Sequence, residues 1–170
     1  RREQKFSIWL RPVETSNAHF SLELVRHLLR QVVERGLSQE DFERTRTFAK
    51  NYYPLYLQSQ SRRLGFALDD AFYGLNKPFI QRLHQSWDSL SAQDVHNALK
   101  KHLNPEALQI AIITPEAQKL AAALKSAVVT VPNYAFKVSK AITQTDELVI
   151  AGASAHPLHE INVISLQELF

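Results

Sequence analysis

The sequence predicts an α+β fold, and three observations carry that expectation. Short apolar runs rich in β-type residues stand at 6–10, 108–114 and 161–164. Five or six segments with helical periodicity fill the space between the first two runs. One alanine-rich helical segment follows the second. Helices grouped as a block between strands favour α+β over a regular strand–helix alternation.

The elements follow in order. Residues 6–10 (FSIWL) alternate in part and are closed by Pro12, which predicts a strand. Ser16 or Asn17 then caps a helix that runs to Gly36. Phe20, Leu24, Leu28 and Val32 form its apolar line, and Glu23, Arg26, Arg30 and Glu34 its polar side. Ser38 with Asp41 resembles a capping box opening a second helix. That helix carries Phe42, Phe48, Tyr52, Tyr53 and Tyr56, and Pro54 is expected to kink or split it near Tyr53. A third helix over 61–73 stops at Gly74.

Pro78 sits at the first helical position of a fourth helix with Phe79, Ile80, Leu83 and Trp87. Ser91 and Asp94 cap a fifth, which Asn104-Pro105 ends. The run LQIAIIT at 108–114 predicts a buried strand. Thr114-Pro115-Glu116 starts an alanine-rich helix to about Ser126. Residues 127–145 read as irregular and 152–157 as a loop. Residues 161–164 predict the last strand.

Composition excludes several classes. With 170 residues and 45% hydrophobic residues, the chain is long enough to bury a core without staples. The absence of cysteine excludes disulfides, thiolate zinc sites and a cysteine nucleophile, and is compatible with cytosol and periplasm alike. No apolar run reaches the ~20 residues that a bilayer requires. The net charge of +3 is uneven, since residues 141–170 contain four acids and no Lys or Arg. Arg44, Arg46 and Lys50 are interleaved with Glu40, Asp41 and Glu43, a solvated helix face and not a nucleic-acid stripe.

The chemistry-bearing residues give no catalytic constellation. His156-Pro157-Leu158-His159-Glu160 has neither the His-Glu-x-x-His nor the His-x-x-Glu-His spacing of a zinc peptidase, and Pro157 disfavours a helix there. His19 and His27 are too far apart on their helix to share one ion, and His96 and His102 point in different directions. Asp69 and Asp70 are adjacent and diverge, so they cannot share a proton. Tyr52, Tyr53 and Tyr56 read as helix-packing anchors, with a peptide groove as the alternative. No glycine-rich phosphate loop and no G-x-S-x-G elbow occur.

Six segments in order nonetheless resemble the M16 metallopeptidases, the pitrilysin, insulinase and mitochondrial processing peptidase family. They are GLSQEDFERTR at 36–46, YPLYLQS at 53–59, FYGL at 72–75, LSAQDV at 90–95, KHLNP at 101–105 and LQIAIITP at 108–115. The tail from Asn162 to Phe170 resembles the family's closing segment more weakly. In particular the chain is similar to the C-terminal, zinc-free half of bacterial members.

The resemblance implies an antiparallel sheet with helices packed on one face. It divides the chain into residues 1–126, the latter part of such a domain, and 127–170, an extension returning to the sheet. It implies no zinc in this chain, zinc in a catalytic partner half that carries His-x-x-Glu-His, and a peptide held between the two halves. Its partners would be that homologous domain or subunit and a peptide, with no nucleic acid and no membrane span. The family's Arg/Tyr substrate motif lies upstream of the segment matched to 6–10, and Arg1-Arg2-Glu3 does not supply it. No catalytic, metal or substrate-binding residue is therefore carried over. The sheet is expected to be incomplete at the N-terminus, with an upstream segment or a second copy in a homodimer supplying the rest. The expected source is bacterial, periplasmic or cytoplasmic. The alternative is a non-proteolytic structural subunit that shares the fold.

Overall fold

Helix ends are set by local chemistry. The computed structural model describes residues 5–126, 128–158 and 160–168. A 3-10 turn at Thr15–Asn17 leads into α1, Ala18–Arg35. Gly36 stops α1 at φ +77°, and its amide donates to the Val32 carbonyl at 3.0 Å. The Ser38 hydroxyl accepts from the Asp41 amide at 3.0 Å and opens α2, Gln39–Tyr56. Pro54 lies in the last turn of α2, which continues past it to Tyr56 and does not divide at Tyr53.

Ser59 caps α3, Gln60–Phe72, and Gly74 follows at φ +62°. The first amide of α4, Phe79–Ser89, donates to the Asp70 carboxylate at 3.0 Å. Ser91 and Asp94 form a reciprocal capping box on α5, Ala92–His102. The last two helices are α6, Ala117–Ser126, and α7, Lys140–Ala155, the latter capped by Ser139.

The expected α+β fold is corrected. No strand occurs among the described residues, so the antiparallel sheet is absent from them. Residues 6–10 are exposed, Trp9 to 75%. Residues 108–114 and 161–164 line one groove against Leu22 and Leu120, without forming a ladder. Strand propensity reports fit to a pleated, half-buried surface. The runs at 108–114 and 161–164 find side-chain contacts on helices but form no ladder. The second correction is α7, which occupies part of the stretch read as irregular. Its inner line, Asp146, Val149 and Ala153, contains a carboxylate and an alanine, so the apolar period is hidden.

The chain divides into two compact units, Arg1–Arg30 with Pro105–Phe170, and Gln31–Asn104. In the first, Phe20, Val129, Val149 and Ala153 form one apolar cluster, joined by Leu24 and Ile150. Leu22, Leu120 and Leu124 form another, with Leu158 and Ile161 packed against it. In the second, Val33 and Phe42 are the buried apolar residues, and α2 and α3 both pack on α4. No helix among the described residues is long and apolar enough to cross a membrane.

Candidate functional site

In the first unit, the polar side of α1 is buried. Glu23, Arg26 and Arg30 are 3%, 5% and 7% exposed, so these charged residues are enclosed by the unit and do not face solvent. Arg26 donates to both Glu23 oxygens from one nitrogen, at 2.7 and 2.9 Å. Its other terminal nitrogen donates to the His156 carbonyl at 2.7 Å, at the C-terminal end of α7. This guanidinium therefore ties the middle of α1 to a residue 130 positions away.

One turn further on, the terminal nitrogens of Arg30 are buried without a hydrogen bond. Glu106 Oε1 lies 3.8 Å from Arg30 Nη1, and Glu106 Oε2 lies 3.6 Å from His156 Nδ1. Gly152 leaves room here, since a Cβ on it would lie 3.6 Å from Arg30 Nη2 and 3.7 Å from His27 Nδ1. Burial lowers the pKa of His19 below its ordinary 6.5; the Glu23 carboxylate opposes that shift and Arg26 adds to it. Asp146, also buried, accepts from the Tyr134 hydroxyl at 3.1 and 3.2 Å. Burial and then this carboxylate raise the Tyr134 pKa. The Tyr134 hydroxyl is paired with a carboxylate, but its raised pKa disfavours the phenolate, so the chemistry of the cluster is positional.

In the second unit, the tyrosines of α2 divide. Tyr53 points inward, with its ring 5.5 Å from Trp87 and 6.2 Å from Phe66. Burial raises its pKa. Tyr52 and Tyr56 are exposed and stack edge-on at 5.4 Å, and Phe48 stacks on Tyr52 at 5.3 Å. Arg62 lies 4.4 Å over the Tyr56 ring. An apolar pocket opens beside Phe42, Ala49, Trp87, Leu90 and Val95.

The histidines do not converge. His96 Nε2 donates to the Val33 carbonyl at 3.0 Å, so it is a packing group between α5 and the end of α1 and not a polar-face residue. His102 is exposed at the end of α5. His156 caps α7, and His159 lies outside the described residues. Asp70 caps α4, whereas Asp69 faces solvent. Arg44 pairs with Asp41, Arg46 with Glu43 and Lys50 with Asp88. Among the described residues no group of three His, Asp or Glu could hold a metal ion, so these side chains do not fit a zinc site. Sequence periodicity missed the buried Glu23–Arg26 pair. The small residues Gly152 and Ala153 were the available signal that a second helix packs closely here.

Comparisons with known proteins complete the description. The chain is similar to the "Non-peptidase homolog YmxG" of Helicobacter pylori (strain ATCC 700392 / 26695), at 23% identity over 123 residues. The match covers 64% of this chain and 28% of that protein, so the chain spans less than a third of the relative's length. No family model matches, and no solved structure matches.

Proposed function

We propose that this chain is a non-catalytic M16-like module. The observation that carries the reading is the similarity to a protein named a non-peptidase homolog, over 123 residues. The ordered M16-like segments support it. Within such a system the chain would form the zinc-free half. It would close a chamber, hold an extended peptide and exclude water from a zinc face on a His-x-x-Glu-His partner.

The test uses the chain alone and mixed with an M16 catalytic subunit from the same genome. A quenched-fluorescence peptide reports hydrolysis. The expected result is no chelator-sensitive cleavage by the chain alone and cleavage on mixing. Chelator-sensitive cleavage by the chain alone would overturn the non-catalytic reading. A second reading is a non-proteolytic structural subunit, with which the relative's name, a non-peptidase homolog, is compatible. Stable association with the catalytic subunit without any gain in cleavage selects that reading.

A further inference from the structure

We propose that the outward face of α3 is a self-association surface, which pairs antiparallel with α3 of a second copy about a two-fold axis beside Gly65. The inference rests on this helix alone and is independent of the reading above. Phe66 turns the packed side of α3 towards Tyr53 and Phe79, and Asp70 on that side caps α4. The opposite side carries Leu64, Leu68 and Phe72, which are 62%, 60% and 82% exposed. Three large apolar side chains at a spacing of four form one continuous stripe.

Two features of the stripe suit another copy of itself. The first is Gly65, in the helix interior, where an added Cβ would meet nothing within 4 Å. Nothing within the chain requires glycine there, yet glycine disfavours a helix. A second backbone approaching at that point would require it. The second feature is charge. Arg62 and Asp69 are seven residues apart, two helical turns, so they share one flank of the stripe. In an antiparallel two-fold pair the same flanks of both helices lie side by side. Arg62 of each copy then meets Asp69 of the other, giving two symmetric ion pairs. A parallel pair would instead set this flank against the opposite flank of the partner and form neither ion pair.

With the axis between residues 65 and 66, the two glycines meet at the crossing. Leu64 of one copy sits beside Leu68 of the other, and Phe72 covers Ser61. The stripe from Leu64 to Phe72 spans about 12 Å at 1.5 Å per residue, a small contact that sets a weak dimer.

The experiment is sedimentation velocity on the full chain from 10 µM to 1 mM (roughly the range in which such contacts act), with circular dichroism to verify folding. The expected behaviour is a monomer–dimer equilibrium with a Kd on the order of 100 µM. Leu68→Glu, on an exposed position, raises the Kd at least about tenfold. Arg62→Asp and Asp69→Arg each weaken the dimer, and the double variant returns to within about threefold of the wild type. The chain contains no cysteine, so Leu64→Cys, on the stripe beside the crossing, gives a clean second readout. It forms a disulfide-linked dimer under mild oxidation, whereas Lys100→Cys on α5 does not. A monomer at 1 mM without that disulfide, a dimer indifferent to Leu68→Glu, or failure of the charge swap to restore pairing each overturns the proposal.

Discussion

Gly36→Ala isolates the joint between the end of α1 and α5. Gly36 sits at φ +77°, where a Cβ costs about 1–2 kcal/mol. That Cβ would also lie 2.9 Å from His96 Cγ and 3.1 Å from its Nδ1, closer than side chains pack. The ring must then move, and it holds the Val33 carbonyl at 3.0 Å. Losing that bond costs about 0.5–1.5 kcal/mol. Alanine restricts the unfolded chain and returns about 0.4–1 kcal/mol. The net expectation is about 2 kcal/mol of destabilisation, from these terms together. Urea unfolding followed by Trp87 fluorescence in a Trp9→Phe background reads the unit that contains both residues. In a His96→Ala background the ring is gone, so the same change should cost about 1 kcal/mol less. Equal costs in the two backgrounds would refute the contact argument and leave only the backbone dihedral.

Two further outcomes are expected in the other unit. Val149 is 0% exposed, so Val149→Ala should lower the unfolding free energy by about 2 kcal/mol, whereas Leu148→Ala, at 53% exposure, should cost under about 0.5; similar costs in urea titrations would contradict the assigned inner face of α7. Burial favours the neutral ring of His19, so the unfolded chain takes up its proton first. Stability is then full above the ordinary pKa of 6.5 and falls as the pH drops from there towards the lowered folded value. His19→Leu should flatten the urea midpoint between pH 7.5 and roughly 5.5, and an unchanged slope would show that another group carries it.

The helix ends were legible because they are local. Ser38, Ser91, Gly36, Gly74 and Pro78 each act through their own backbone neighbours, and the structure uses all five at helix ends. The strands were not, because an apolar run states only that it will be covered. Residues 108–114 are covered by helices on one side, and Ile113 is left wholly exposed. The burial of the polar side of α1 was missed for a related reason. Periodicity identifies one buried face, and α1 has two. Glu23 and Arg26 look like a surface pair at three-residue spacing, and only α7, distant in sequence, places them inside. Of the tyrosines, spacing could not distinguish inward Tyr53 from outward Tyr52 and Tyr56.

The buried polar groups of the first unit follow from the surface that α7 offers. Its inner side is small and nearly featureless around Gly152 and Ala153, so apolar packing alone would tolerate several registers against α1. Two directional contacts remove that freedom. Tyr134 holds Asp146 in the body of the helix, and Arg26 holds the His156 carbonyl at its end. The two points are about 15 Å apart along the axis at 1.5 Å per residue. One such contact would leave α7 free to pivot; the Arg26 contact joins it to α1 and the Tyr134 contact joins it to the segment that precedes it. Each buries a charge, at a desolvation cost that apolar residues would avoid. What the charges supply is direction: one ties α7 to α1 and the other ties it to the preceding segment, on the helix that also carries Val149 into the cluster with Phe20.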